Sequence, residues 1–227
     1  EDSFGWYLKH LYGATETGPL ITISDAKRLI TDETRFDIKK RQGMGVHGTD
    51  VRVVDEDGND VPRDDQTIGE IVVRGNQVMD HYWNKPEQTE AAFNDRVEGY
   101  YHMGDLATVD EHGMVEIKDR KKDIIISGGE NISSVELEDT LFDHPDVADV
   151  AIIPAPSDEW GETPKAYIVP ATGDPDNPGV TETELKEFTA DHLAGYKVVR
   201  RFEFVEDLPT TATGKIQKNE LREQEWD

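Results

Sequence analysis

Cysteine is missing altogether from the 227 residues, which rules out disulfides, thiolate nucleophiles and cysteine-ligated metals. No apolar stretch approaches the roughly 18 residues that a membrane-crossing helix needs, so no membrane span is expected. Basic residues are scarce. Against 49 Asp and Glu stand only 24 Lys and Arg, giving a formal net charge of −25. A surface so negative repels the phosphate backbone, so nucleic acid is excluded as a partner. The seven histidines are scattered without metal-ligand spacing. The expectation is a cytoplasmic protein without a structural metal.

The acids are spread among Trp, Tyr and Phe and among regularly spaced apolar residues, unlike the concentrated charge of a disordered tail. The chain is therefore expected to fold. Concentrated ions would screen its self-repulsion, so the composition suits a halophile. The chain opens Glu1-Asp2-Ser3, with Gly5-Trp6-Tyr7-Leu8 already reading as the middle of a folded unit. That opening predicts a piece of a longer polypeptide.

Strand-like runs fill the first half. Val51 to Val54 leads into an Asp57-Gly58 turn, and Gly69 to Arg74 alternates. Pro86 opens a short helix to Phe93, at the first-turn position proline tolerates. Leu106 to Val109 and Met114 to Ile117 flank a turn at Asp110-Glu111-His112-Gly113. Beyond Asp119 strands alternate with helices. Ile124 to Ile126 reads as a buried strand, and Val147 to Ile153 and Ala166 to Val169 as further strands. Ser133 with Glu136, and Thr181 with Glu184, predict capping boxes, the first ahead of Leu137 and Leu141, the second ahead of Leu185, Phe188 and Leu193. The fold class expected is mixed α/β. Residues 1–118 would end a large domain in a β-barrel-like subdomain, and residues 119–227 would form a small α/β domain.

Five segments invite a chemical reading: Tyr12 to Thr17, Tyr101 to Leu106, Asp119 to Asp123, Ser127 to Asn131 and Thr213 to Lys218. Singly, each has a plain explanation as a turn, a strand-ending loop or a solvated basic patch. A Walker phosphate loop at Gly214-Lys215 fails, because Pro209 and Ile216 stand where Gly and Ser or Thr are required. A calcium loop from Asp55 fails at Asp60 and Gln66. Asn131-Ile132-Ser133 is too short a pattern to carry a glycosylation site.

In order and spacing, the five segments together resemble the adenylate-forming superfamily of acyl-CoA synthetases, luciferases and peptide-synthetase adenylation domains. The resemblance runs from Trp6 to Arg222 and takes in Gly69-Glu70-Ile71 and Tyr82-Trp83. Lys118 to Glu138, Trp160 to Pro164 and Tyr196-Lys197 look like the acyl-CoA synthetase branch. The resemblance implies a two-step reaction. ATP and a small carboxylic acid, short- or medium-chain, give an acyl-adenylate, and CoA then displaces AMP.

The family's roles carry over residue by residue. Lys215 would be the adenylation lysine bridging carboxylate and α-phosphate, where two anions meet and positive charge is needed. Glu16 would hold Mg²⁺. Thr15, beside Gly13 in the same segment, would meet the α-phosphate, and Tyr12 would lie against adenine. Asp105 would accept both ribose hydroxyls, with Arg120 reaching the ribose from the other side. Lys122 falls at the family's interdomain hinge. Gly128 and Gly129 would leave room for pantetheine, and Tyr196 and Lys197 would meet the CoA nucleotide. Three departures stand out: Met103 replaces a usual Thr, Val198-Val199 replaces a pattern that often holds Pro, and the Ser/Thr/Gly-rich phosphate loop is not in this chain. The chain would thus need the N-terminal half of the same enzyme and be inactive alone. The alternatives are an adenylation domain serving another acceptor and a non-catalytic fragment that binds nucleotide or a partner.

Overall fold

The computed structural model describes residues 9–24 and 38–226, and the chain divides into two compact units, Glu1–Lys121 and Lys122–Asp227. The opening segment Gly5 to Leu8 lies outside the described residues. Among the described residues no helix is long and apolar enough to cross a membrane.

In the first unit, β1 (Leu11–Ala14), β2 (Gly18–Ile23) and β3 (Met44–Gly45) form an antiparallel sheet in that order, with a single 3₁₀ turn, Thr15–Thr17, joining β1 to β2. A second antiparallel sheet is a meander of β4 (Thr49–Val54), β5 (Gly69–Gly75), β6 (Tyr101–Val109) and β7 (Val115–Arg120). The expected helix is present as α1 (Pro86–Ala92) with Pro at its start. Val53, Ile71, Val73, Tyr101, Met103 and Ala107 bury one face of the meander, while Val54, Val72 and Tyr100 pack a smaller cluster. Residues Gly69 to Val73 are therefore buried throughout rather than on alternate positions.

The β-rich part stays open, because no sheet of the described residues closes into a barrel: β4 and β7 are the ends of the meander. The sheets meet at a backbone crossing, where Val115 donates to the Gly43 carbonyl at 2.8 Å and accepts from the Gln42 N–H at 2.9 Å, and the Thr49 hydroxyl of β4 donates to the Ile21 carbonyl of β2 at 3.1 Å. Only glycine fits there. Gly43 has φ +90°, and a Cβ would lie 2.1 Å from the Ile23 carbonyl oxygen.

The second unit is a sheet covered on both faces. Its strands are β8 (Ile125–Ser127), β9 (Glu130–Ile132), β10 (Val147–Ser157), β11 (Gly161–Pro170) and β12 (Arg201–Phe204). The order is β10-β11-β8-β9, with β12 parallel to β11 and the other pairs antiparallel. The helices are α2 (Ser134–Phe142), α3 (Glu182–His192) and α4 (Lys218–Trp226). Along β10 the pleat sends Val150 and Ile152 into a core with Leu137, Leu141 and Leu185, while Ala151 and Ile153 meet Leu221 of α4.

Both N-caps form, but only the second is the reciprocal box expected. The Ser133 hydroxyl accepts from the Glu136 N–H at 3.3 Å while the Glu136 carboxylate meets Lys197, and Thr181 and Glu184 make the reciprocal pair at 3.2 and 2.8 Å. The strand expected to end at Ile153 runs on through Pro154 and Pro156, because β10 lies at the end of the sheet and its prolines remove no ladder bond from an interior strand. The strand expected at Ile124 to Ile126 is shifted by one residue, so Ile125 is buried and Ile126 is exposed.

Leu137 is fully buried between α2 and the sheet. Leu137→Ala is expected to cost about 2–5 kcal/mol of unfolding free energy, measured by urea titration. A change near zero would show that this face does not hold the unit together.

Candidate functional site

The first unit gathers two carboxylates, each held by phenols or a guanidinium. Asp105 on β6 stands directly across from Arg120 on β7. That register sets Arg120 Nε 3.1 Å from Asp105 Oδ1, while the Tyr12 hydroxyl of β1 donates to Oδ2. Burial pushes the Tyr12 phenol far above its ordinary pKa, and the Asp105 charge pushes it further, so it stays a donor. Gly13 sits where the β1–β2 register shifts, and a Cβ there would lie 2.6 Å from the Gly18 carbonyl oxygen. The bulge turns the chain into Thr15–Thr17, leaving Thr15 exposed and Glu16 half-buried. Met103 belongs to the apolar core of this unit.

Glu16 Oε1 accepts the Tyr82 hydroxyl at 2.9 Å, and the Tyr82 oxygen lies 3.2 Å from that of Tyr101. No group of three or more His, Asp or Glu side chains gathers as a metal cage among the described residues. A cation at Glu16 would thus take one carboxylate from this chain and its other ligands from phosphates and water. That is the coordination habit of Mg²⁺, so the residues fit it.

Beside Asp105 lies an ionic cluster that the sequence did not announce. Glu70, Arg96, His102 and Lys121 converge. Arg96 pairs with Glu70, Lys121 Nζ donates to Glu70 Oε2 at 3.1 Å, and Arg96 lies 2.8 Å from His102 Nδ1. Burial first, then the charges of Arg96 and Lys121, lower His102 from 6.5 to about 4. The Lys121 N–H also donates to the Gly104 carbonyl at 2.8 Å.

In the second unit, Gly128 and Gly129 are the two central residues of the β8–β9 hairpin, with φ +61° and +89°. Positive φ at both positions is what a two-residue primed turn demands. A Cβ on Gly128 would also strike the Trp160 ring at 2.7 Å, whereas Gly129 faces open space. Lys197 is not a free cation: its ammonium meets both Glu136 oxygens, at 2.7 and 2.6 Å, and lies 5.7 Å from the Tyr196 ring centroid. Lys122 is exposed, and its carbonyl accepts from Arg222 at 3.2 Å.

Lys215 ends a tight turn in which Gly214 has φ +82° and the Thr211 N–H donates to the Lys215 carbonyl at 2.8 Å. A bridge between Thr210 and Ile216 closes the turn. Lys215 is exposed, and no described residue of its own unit pairs with its ammonium.

Family models agree with these motifs. Residues 1–83 match the model described as AMP-binding enzyme, and residues 136–215 match the AMP-binding enzyme C-terminal domain. The chain belongs to the adenylate-forming, AMP-binding enzyme family. It is 41% identical to 2-methylpropanoate–CoA ligase of Humulus lupulus, covering 98% of this chain and 40% of that protein. Among solved structures, ATP-bound MatB from Rhodopseudomonas palustris superposes with a TM-score of 0.81 at 34% identity, covering 97% of this chain and 41% of that one. The o-succinylbenzoate CoA synthetase of Bacillus subtilis, complexed with ATP and magnesium, gives a TM-score of 0.79 at 30% identity, covering 97% and 42%. The chain thus spans about two fifths of the length of each of these proteins.

Sequence reasoning missed Tyr82 as the partner of Glu16 and Tyr101 as the partner of Tyr82, and it missed the Glu70 cluster. Tyr82-Trp83 and Glu70 lie in segments that carry the resemblance, but nothing local marks what they touch.

His102 is neutral when folded and protonatable when unfolded between about pH 4 and 6.5. The unfolded state then binds more protons, so this residue's contribution to stability rises with pH through that window. His102→Asn should flatten the slope there and leave it unchanged above pH 7, as read by urea unfolding across pH. Equal slopes for both proteins would overturn the assignment.

Proposed function

We propose that this chain supplies the nucleotide-binding and thioester-forming residues of an AMP-forming acyl-CoA ligase acting on a short- or medium-chain carboxylic acid. The observation that carries the reading is Asp105, bracketed by Tyr12 and Arg120, in a chain whose relatives include CoA ligases. Each carboxylate oxygen has two acceptor positions, so Asp105 keeps capacity for both hydroxyls of a ribose. Arg120 steadies it there, and the Tyr12 ring offers a face to adenine. Thr15, exposed beside Gly13, would donate to the α-phosphate.

In the first step a carboxylate oxygen of the substrate attacks the α-phosphorus, and the bond to pyrophosphate breaks. In the second, the CoA sulfur attacks the acyl carbon and AMP leaves, with the thiol proton lost. Mg²⁺ held by Glu16 would draw charge from the phosphates. Lys215 would offset the approach of two anions in the first step, and its exposed, flexible stem suits a residue needed only then. Gly128 and Gly129 would leave space for pantetheine in the second step, with Tyr196 near the CoA nucleotide and Lys197 available to it on releasing Glu136. Lys122, first residue of the second unit, is the proposed hinge between the steps. The phosphate loop and acyl pocket would come from the N-terminal part of the relatives' length, so the chain alone should release no pyrophosphate.

In the complete ligase, Lys215→Ala should slow adenylation by ~10²–10³-fold or more, the scale of removing one preorganised electrostatic donor. Thioester formation from supplied acyl-adenylate should persist, followed by rapid quench. Equal losses in both steps, or pyrophosphate turnover by this chain alone, would overturn the reading.

The net charge of −25 supports a further proposal, a surface adapted to concentrated salt. The melting temperature should climb as KCl is raised from low to molar concentration. A flat or falling curve removes that adaptation.

A further inference from the structure

Resting on the assignment of Glu16 to Mg²⁺, we propose that Tyr82 is the residue that positions Glu16 for the cation, with Tyr101 holding Tyr82 in turn. Glu16 lies in a turn of only three residues, Thr15–Thr17, too short to orient a side chain by itself. The segment from Met79 to Tyr82 grips it twice. The Met79 N–H donates to the Glu16 carbonyl at 2.7 Å, and the Tyr82 hydroxyl donates to Oε1 at 2.9 Å. That leaves Oε2 without a partner among the described residues.

A phenol has one proton to give. With the Tyr82 proton on Glu16, the contact of 3.2 Å to Tyr101 must be donated by Tyr101, so the order runs Tyr101 to Tyr82 to Glu16. Tyr101 is a fixed anchor. It is 7% exposed, and its ring meets Phe93 edge-on at 5.5 Å. Tyr82 itself is carried by the connection ahead of α1, and its N–H donates to Thr89 Oγ1 at 3.0 Å, which ties that connection to the helix. Partners behind a metal-binding carboxylate fix its orientation and so set metal affinity more than they set the chemistry of a loaded site.

The test uses the complete ligase with Tyr82→Phe, Tyr101→Phe and Glu16→Gln. Two quantities are read: the Mg²⁺ concentration giving half-maximal adenylation at fixed ATP, and Mn²⁺ binding in the presence of ATP, followed by electron paramagnetic resonance. Tyr82→Phe should raise both constants about tenfold, the scale for losing such a partner. The rate at saturating Mg²⁺ and the melting temperature should stay near the parent values. Tyr101→Phe should raise the same constants by a smaller factor. If Tyr82→Phe lowers the melting temperature, Tyr101→Phe, which deletes only the outer link, carries the test on the same readouts. A raised metal requirement for Glu16→Gln with none for either tyrosine variant overturns the positioning role and leaves the Glu16 assignment standing. An unchanged requirement for Glu16→Gln overturns that assignment, and the positioning role falls with it.

Discussion

The register of β6 against β7 governs the first unit's candidate site. Asp105 faces Arg120 only because these antiparallel strands pair as they do, and a slip of one residue would send every side chain to the opposite face. The pairing continues past Arg120, where the Lys121 N–H reaches the Gly104 carbonyl and its ammonium reaches Glu70. One strand pair therefore orients the carboxylate and its guanidinium, and it tethers the last residue before the second unit. The ladder is irregular between Leu106 and Ala107, immediately after Asp105. An irregularity of that kind re-aims neighbouring side chains.

The mixed α/β class, the starts of α1, α2 and α3 and most strand cores were legible because each is written locally, whereas α4 was not expected. Thr181 and Glu184 are three residues apart and cap each other, and Gly128-Gly129 states its own turn type. The shape of the β-rich part was not legible. A barrel and an open meander share the same strand texture and differ only in whether the end strands pair, which no local pattern encodes. Candidate residues of the first unit could be listed from motifs, but their partners could not. Tyr12 and Asp105 are separated by 93 positions, and Tyr82 and Glu16 by 66. Those contacts follow from sheet order, not from spacing.

Tyr12 shows how a motif can locate a residue yet describe only part of it. The resemblance lays its ring against adenine, and the structure occupies its hydroxyl with Asp105. The two uses do not compete, since stacking engages the ring face and the hydrogen bond leaves by the ring edge. A phenol fixed at its oxygen is restricted in how its ring can turn, so the bond to Asp105 would also limit where a stacked base could lie. Adenine and ribose recognition would then be coupled through a single side chain.

The scarcity of basic residues sharpens the meaning of each one. Where a cation is buried or half-buried, acids crowd it: Arg41 meets Asp65, Asp110 and Glu116, and Lys165 meets Glu203 and Glu225. The Arg41 guanidinium holds the Asp65 carboxyl down at about 2. With 49 acids to 24 bases, an exposed lysine has many carboxylates to choose from. Lys215 nevertheless takes none within its unit. The turn accounts for this locally, because Thr211 and Thr213 share a hydrogen bond at 2.9 Å and neutral residues surround the lysine from Pro209 to Gln217. A segment without acids in so acidic a chain leaves its one ammonium uncommitted, which is the condition a lysine must meet if it is to be available to an anionic substrate.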